Sequence, residues 1–190
     1  FYVYAIDPSG VVSATNIKGS PKTASEEIVN ISPSPTIGPV GSVSKTIFPK
    51  ADSYVSSGQA SSNFGTDNPM TVQGRNPSSI VFMKFELPDL TGKTVEKAIL
   101  RFTASNDSEA GVGSGNILSV KSSSNSWTEK NLTNNSKPNL ESVVGVRNGA
   151  IGTGETVEID VTPGVVGKNR GDVSLALEAT SSNQNNLIIR

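Results

Sequence analysis

The sequence predicts an all-β sandwich, and three observations carry that expectation. Short apolar runs recur with alternate residues apolar, clearest in Phe85/Leu87, Leu100/Phe102 and Leu118/Val120, and turn residues separate them. No stretch longer than one turn carries the helical period. The composition agrees. Hydrophobic residues are 34% of the 190, aromatics 5% and charged residues 17%, with Ser, Thr, Asn and Gly filling the difference. A disordered chain would hold more charge and fewer β-branched residues.

Three segments follow one another. In residues 1–17 the alternating run Phe1-Tyr2-Val3-Tyr4-Ala5-Ile6 meets the turn Asp7-Pro8-Ser9-Gly10 and continues as Val11-Val12-Ser13-Ala14-Thr15. Two such runs around a Pro/Gly turn predict a β-hairpin. A lone hairpin is marginal in water, so it is expected to dock on the next domain or to be the remnant of a trimmed neighbour. Residues 18–44 form a linker, with Pro21, Pro33, Pro35 and Pro39 stiffening an otherwise Ser- and Gly-rich stretch. Residues 23–29 offer at most a strand or a helical turn.

Residues 45–190 are the domain. Strands are expected at 46–55, 70–73, 80–87, 97–104, 117–122, 155–161, 173–179 and 187–189. One helical turn is expected within 161–166, capped by Thr162 or Asp160, with Pro163 in its first position. The chain starts inside a strand and stops at Arg190 directly after an apolar run. It is therefore expected to be a piece of a longer protein with its last strand cut short.

Several function classes recede on composition. The 16 basic and 17 acidic residues nearly cancel, where a nucleic-acid footprint needs a basic surplus. There is no His and no Cys. The usual general base, thiolate nucleophiles, disulfides and zinc clusters are excluded with them. Any metal must be held by oxygen, which points to calcium or magnesium. No apolar run is long enough to span a membrane, and no charged-then-apolar leader opens the chain. Glu86, Asp89, Glu96, Asp107, Glu109, Glu129, Glu158 and Asp172 are scattered over turns and strand ends, so no catalytic constellation emerges.

Two resemblances follow from quoted stretches. Phe1-Tyr2-Val3-Tyr4-Ala5-Ile6-Asp7-Pro8-Ser9-Gly10 and the run after it resemble the last two strands of a fibronectin type III domain. From Ala51-Asp52-Ser53-Tyr54-Val55 through "VFMKFELPDLTGKTVEKAILRFTA", "SNSWTEKNLTNNSKP" and "VEIDVTPGV", the domain resembles the DNRLRE-type domains, also classified as family 96 carbohydrate-binding modules. That resemblance implies a jelly-roll β-sandwich attached to secreted bacterial polysaccharide-active enzymes or surface proteins, with alginate as the attested ligand. It also implies that Trp127 anchors a long loop to the core, its indole N–H seeking a carbonyl. This chain departs from the pattern in its abrupt end and in its few aromatics for stacking on sugar.

Candidate site residues come from alternation. With Val81, Met83, Phe85 and Leu87 inward, Lys84 and Glu86 face outward; the same rule sends Arg101 and Lys121 out. If their strands share a sheet, Lys84, Arg101 and Lys121 form a cationic row matching the carboxylates of a polyuronate, extended by Arg75 and Lys50. Ordinary solvated side chains, with Glu86 paired to Lys84, are the alternative. Ile80 and Phe82 share the Lys84 face, covered by the linker or hairpin or left as a ledge for a sugar ring. Tyr54, on a strand face with Lys50 and Asp52, is the candidate exposed ring. Asp52, Asn63, Asp67 and the carbonyl of Gly65 would suit a structural calcium ion; alternatively Asp52 only pins the 62–67 loop.

The reading is a non-catalytic module that holds linked catalytic and fibronectin type III modules on alginate or another uronate outside a bacterial cell. The parent enzyme would be a polysaccharide lyase or glycoside hydrolase. A structural spacer or adhesion module without a glycan ligand is the alternative.

Overall fold

The computed structural model describes residues 2–6, 43–106, 117–180 and 186–189. These residues form strands β1 (Tyr2–Ile6), β2 (Pro49–Ser56), β3 (Met70–Val72), β4 (Ser79–Leu87), β5 (Lys97–Thr103), β6 (Ile117–Ser123), β7 (Leu140–Asn148), β8 (Thr156–Asp160), β9 (Gly171–Thr180) and β10 (Leu187–Ile189). Two single 3-10 turns, Ser57–Gln59 and Thr162–Gly164, are the helical elements among them.

The strands make an all-β sandwich, as the alternation predicts. One layer is an antiparallel sheet in the order β2-β4-β9-β6-β7. Facing it are the sheets β1-β5-β8 and β10-β3, linked where Ala104 bridges Ile189. Between the layers lie Val81, Met83, Phe85 and Leu87 of β4, Leu100 and Phe102 of β5, Leu118 and Val120 of β6, and Leu175 and Leu177 of β9. Each such side chain contributes about 1.5–3 kcal/mol by leaving water.

Strand β7 has no counterpart in the sequence-based assignment, for a physical reason. Val143 stands opposite Lys121 and Gly145 opposite Val120, so Val144 is an inserted bulge residue that breaks the alternation. The strand also lies at the sheet edge with most of its residues exposed. Gly145 is required there, because a Cβ would come 2.5 Å from the Asp160 carbonyl oxygen.

The expected helical turn is present at Thr162–Gly164, with Pro163 inside it. Asp160 Oδ1 accepts from the Thr162 N–H (2.9 Å) and hydroxyl (2.6 Å). Burial opposes the charge on Asp160, but those two bonds and the Lys97 charge outweigh it and hold the pKa below the ordinary value. The first arm of the expected hairpin does dock: β1 pairs with β5 along its length. Its turn, its second arm and residues 18–42 of the linker lie outside the described residues.

A second, smaller core sits on the outer face of the five-stranded sheet. The loop 124–139 folds back over β2, β4 and β9 and brings Trp127 and Leu132 onto Val55, Phe82 and Ala176. The Trp127 and Phe82 rings meet edge-on, 6.0 Å apart. Trp127 is buried, and its indole N–H donates to the Ser174 hydroxyl at 3.0 Å, not to a carbonyl. Phe82 is thus covered by this loop, and Ile80 packs against the same cluster.

Candidate functional site

The expected cationic row does not assemble. Strands β4 and β6 share the five-stranded sheet, but β5 belongs to the opposite layer. Arg101 therefore lies on the other side of the sandwich, where its guanidinium pairs with Glu158 on β8.

Lys84 does leave the outer face, but the loop 124–139 roofs it. It is 7% exposed, and its ammonium donates to the carbonyls of Asn125 (2.9 Å) and Trp127, 4.7 Å from the Trp127 ring centroid. Burial lowers its pKa; Asp172 partly opposes that shift, and Lys50 adds to it. Lys84 is thus a pin for the loop and is withdrawn from any ligand. Alternation set its face correctly; what covers that face comes from a loop some 40 residues on in the chain.

Of the remaining candidates, Lys121, Lys50 and Tyr54 are also engaged. Lys121 pairs with Glu178 at 2.5 Å. Lys50 pairs with Asp172 at 2.6 Å, and that bond raises its pKa. A register shift between Pro49 and Ala51 breaks the alternation at Lys50. Arg75 stands half-exposed in the turn between β3 and β4, where Gln73 bridges Ser79. Tyr54 is half-buried and stacked on Phe64 with centroids 4.3 Å apart, so it is no open platform. Its hydroxyl donates to Asp67 at 3.4 Å; burial first, then the Asp67 charge, raises its pKa.

Three of the four residues expected around calcium, Asp52, Asn63 and Gly65, fasten β2 and the 62–67 loop to the loop 124–139. The Asn63 amide donates to the carbonyls of Glu129 (2.5 Å) and Leu132 (2.8 Å), and its oxygen accepts from the Gly65 N–H at 3.3 Å. Gly65 packs so closely that a Cβ would fall 2.4 Å from the Glu129 carbonyl oxygen. The Asp52 N–H donates to Glu129 Oε1 at 2.8 Å. Asp52 is half-buried, and burial followed by the Glu129 charge raises its pKa. An ion cage needs six to eight oxygens turned to one point. Here the Asn63 oxygen accepts from Gly65 within its own loop and Asp67 Oδ2 accepts from Tyr54, and no group of three or more carboxylates gathers among the described residues. The donor set does not fit calcium in this arrangement.

Cations without an ion partner lie elsewhere. The turn before β9 reads Gly167-Lys168-Asn169-Arg170-Gly171, and both glycines have positive φ, +81° and +92°, which lets the chain reverse tightly. Lys168 and Arg170 are exposed and make no ion pair among the described residues. The Asn169 carbonyl accepts from the Leu90 N–H at 2.6 Å, which fastens this turn to the 88–96 loop carrying exposed Lys93. Sequence reasoning passed over this pair because it sought cations on strands; two cations bracketed by glycines was the available signal. A shallow depression near the Thr162–Gly164 turn is lined by Glu96, Val144, Asp160, Thr162, Pro163 and Val166. Its two carboxylates suit no anionic polymer.

The described residues thus form a two-layered β-sandwich rimmed by polar loops. The model of carbohydrate-binding module family 96 matches residues 43–190, and the chain belongs to that family. Modules of this kind bind polysaccharide and are typically non-catalytic. No curated protein matches the chain. Among the described residues, no helix is long and apolar enough to cross a membrane.

Proposed function

We propose that this module holds a secreted bacterial polysaccharide-active protein, with linked catalytic and fibronectin type III modules, on an acidic polysaccharide such as alginate. Beyond family membership, one observation supports the reading: Lys168 and Arg170 stand exposed and unpaired among the described residues, on a turn fastened to the loop of Lys93. A polyuronate carries a carboxylate on each sugar. Arg grips one with two parallel hydrogen bonds, and Lys adds a mobile charge. Binding at this loop end raises the local concentration of substrate for an attached enzyme. Exposed ion pairs are screened beyond about 8 Å at physiological ionic strength, so the affinity is modest and falls with salt.

Affinity gel electrophoresis on alginate, pectin and a neutral glucan tests this. Wild type is retarded by alginate, and the double variant Lys168→Ala/Arg170→Ala loses most of that retardation. Arg101→Ala and Lys121→Ala, whose partners are on the protein, leave it unchanged. Retardation that survives the double change removes the site. Absence of retardation in wild type favours the spacer reading.

A further inference from the structure

Strands β7 and β8 are the outer edges of the two facing layers. They meet along one side of the sandwich, where Gly145 packs against the Asp160 carbonyl and the bulge residue Val144 packs against Gly164. A depression of about 470 Å³ opens at this seam. Its lining is Val144, Pro163 and Val166, with Thr162, Asp160 and Glu96 beside them. Clefts that take small ligands span about 300–1,000 Å³ and combine an apolar wall with a few polar groups.

The polar groups here are acceptors with capacity to spare. Asp160 is exposed and uses Oδ1 for both Thr162 bonds, while Oδ2 accepts nothing among the described residues. Glu96 is exposed and has no hydrogen-bond or ion partner among the described residues. An ionised carboxylate only accepts, so it calls for a ligand rich in donors. The apolar side calls for a ligand with a hydrocarbon face, and Val166 is 56% exposed there.

A pyranose ring offers both, with C–H groups on its face and hydroxyl donors around its rim. Hydroxyls given to a carboxylate make short, charge-assisted bonds. A uronate would set its own carboxylate against Asp160 and Glu96, and like charges repel. The Lys97 charge acts on Asp160 and offsets part of the negative field, which lowers the gain for a cationic ligand.

We propose that this depression is a second glycan subsite and that it takes an uncharged pyranose unit, its C–H face on Val144, Pro163 and Val166 and its hydroxyls on Asp160 and Glu96. The inference rests on membership of a carbohydrate-binding family and on this lining, not on the Lys168 turn.

Nuclear magnetic resonance on the isotopically labelled full chain tests it. The probes are the tetraoses of cellulose, xylan and mannan, with tetramers of alginate and of glucosamine beside them. At least one uncharged tetraose is expected to move the amide signals of Val144, Asp160, Thr162 and Val166 saturably. The variant Glu96→Ala/Val166→Ser, changed only at exposed positions, binds that tetraose about tenfold more weakly. Its retardation by alginate in a gel stays as in wild type, and Lys168→Ala/Arg170→Ala leaves the tetraose shifts unchanged, so this site and the cationic turn fail separately. The proposal is overturned if no uncharged tetraose moves those four signals, if the alginate or glucosamine tetramer moves them more strongly, or if the Glu96/Val166 variant binds as wild type does.

Discussion

Lys84 and Lys121 rise from one face of the same sheet, separated only by β9, where Ser174 stands opposite Lys84 and Ala176 opposite Lys121. Their surroundings differ. Lys84 lies beneath Trp127 with its ammonium bonded to two loop carbonyls, whereas the part-exposed Lys121 is balanced by Glu178. The same division runs through their neighbours. Phe82 beside Lys84 is fully buried, while Val143 and Val146 on β7 are 52% and 48% exposed. One face of one sheet is thus half core and half surface. The difference teaches that strand alternation assigns a side, and a distant loop decides whether that side meets water.

The largest effect is expected where the loop meets the sheet. Trp127→Ala removes the ring packed on Phe82 and costs about 3–5 kcal/mol, whereas Val143→Ala on the open half stays within about 0.5 kcal/mol. Urea unfolding measures both, and equal costs would erase the distinction between the two halves. The lysines sharpen it at smaller scale. Lys84→Ala strands the carbonyls of Asn125 and Trp127 and costs about 1–3 kcal/mol, while Lys121→Ala loses a single part-exposed pair worth about 1 kcal/mol. Thermal unfolding that ranks them the other way would mean that the loop stands open in solution.

The smallest effect concerns the latch at the loop's far end. Burial and Glu129 raise the Asp52 pKa above its ordinary 3.8. The folded state therefore holds that proton more tightly than the unfolded chain. Stability contributed by the protonated carboxyl is lost as pH climbs from the unfolded value through the raised folded one. Asp52→Asn removes that loss and gains less than about 1 kcal/mol at neutral pH. Urea midpoints between about pH 3 and 7 follow it, with the variant flatter than wild type. A wild-type midpoint that drops on adding EDTA would reinstate a calcium brace at Asp52 and Glu129.

Much of the fold was legible because it is written locally. The inward set of β4 follows from "VFMKFEL", that of β5 from "AILRFTA", and the Thr162 turn from Asp160 and Pro163. The site was far less legible. Outward Lys84 became a buried pin, and Arg101 fell on the opposite layer. Asn63 and Gly65 became loop contacts, and β7 escaped notice through its bulge. Each miss involves a partner distant in sequence.

By itself the sequence determined the sandwich class, the alternation within most strands and the absence of His and Cys, which confines any metal to oxygen ligands. It also carried the membership of residues 43–190 in family 96. Only the tertiary structure decided which cations remain unpaired, which half of the sheet face is roofed and which segment completes the β5 edge. The physical reason is range. Side-chain alternation repeats every two residues along one strand. Strand order and loop cover arise from contacts between residues tens of positions apart.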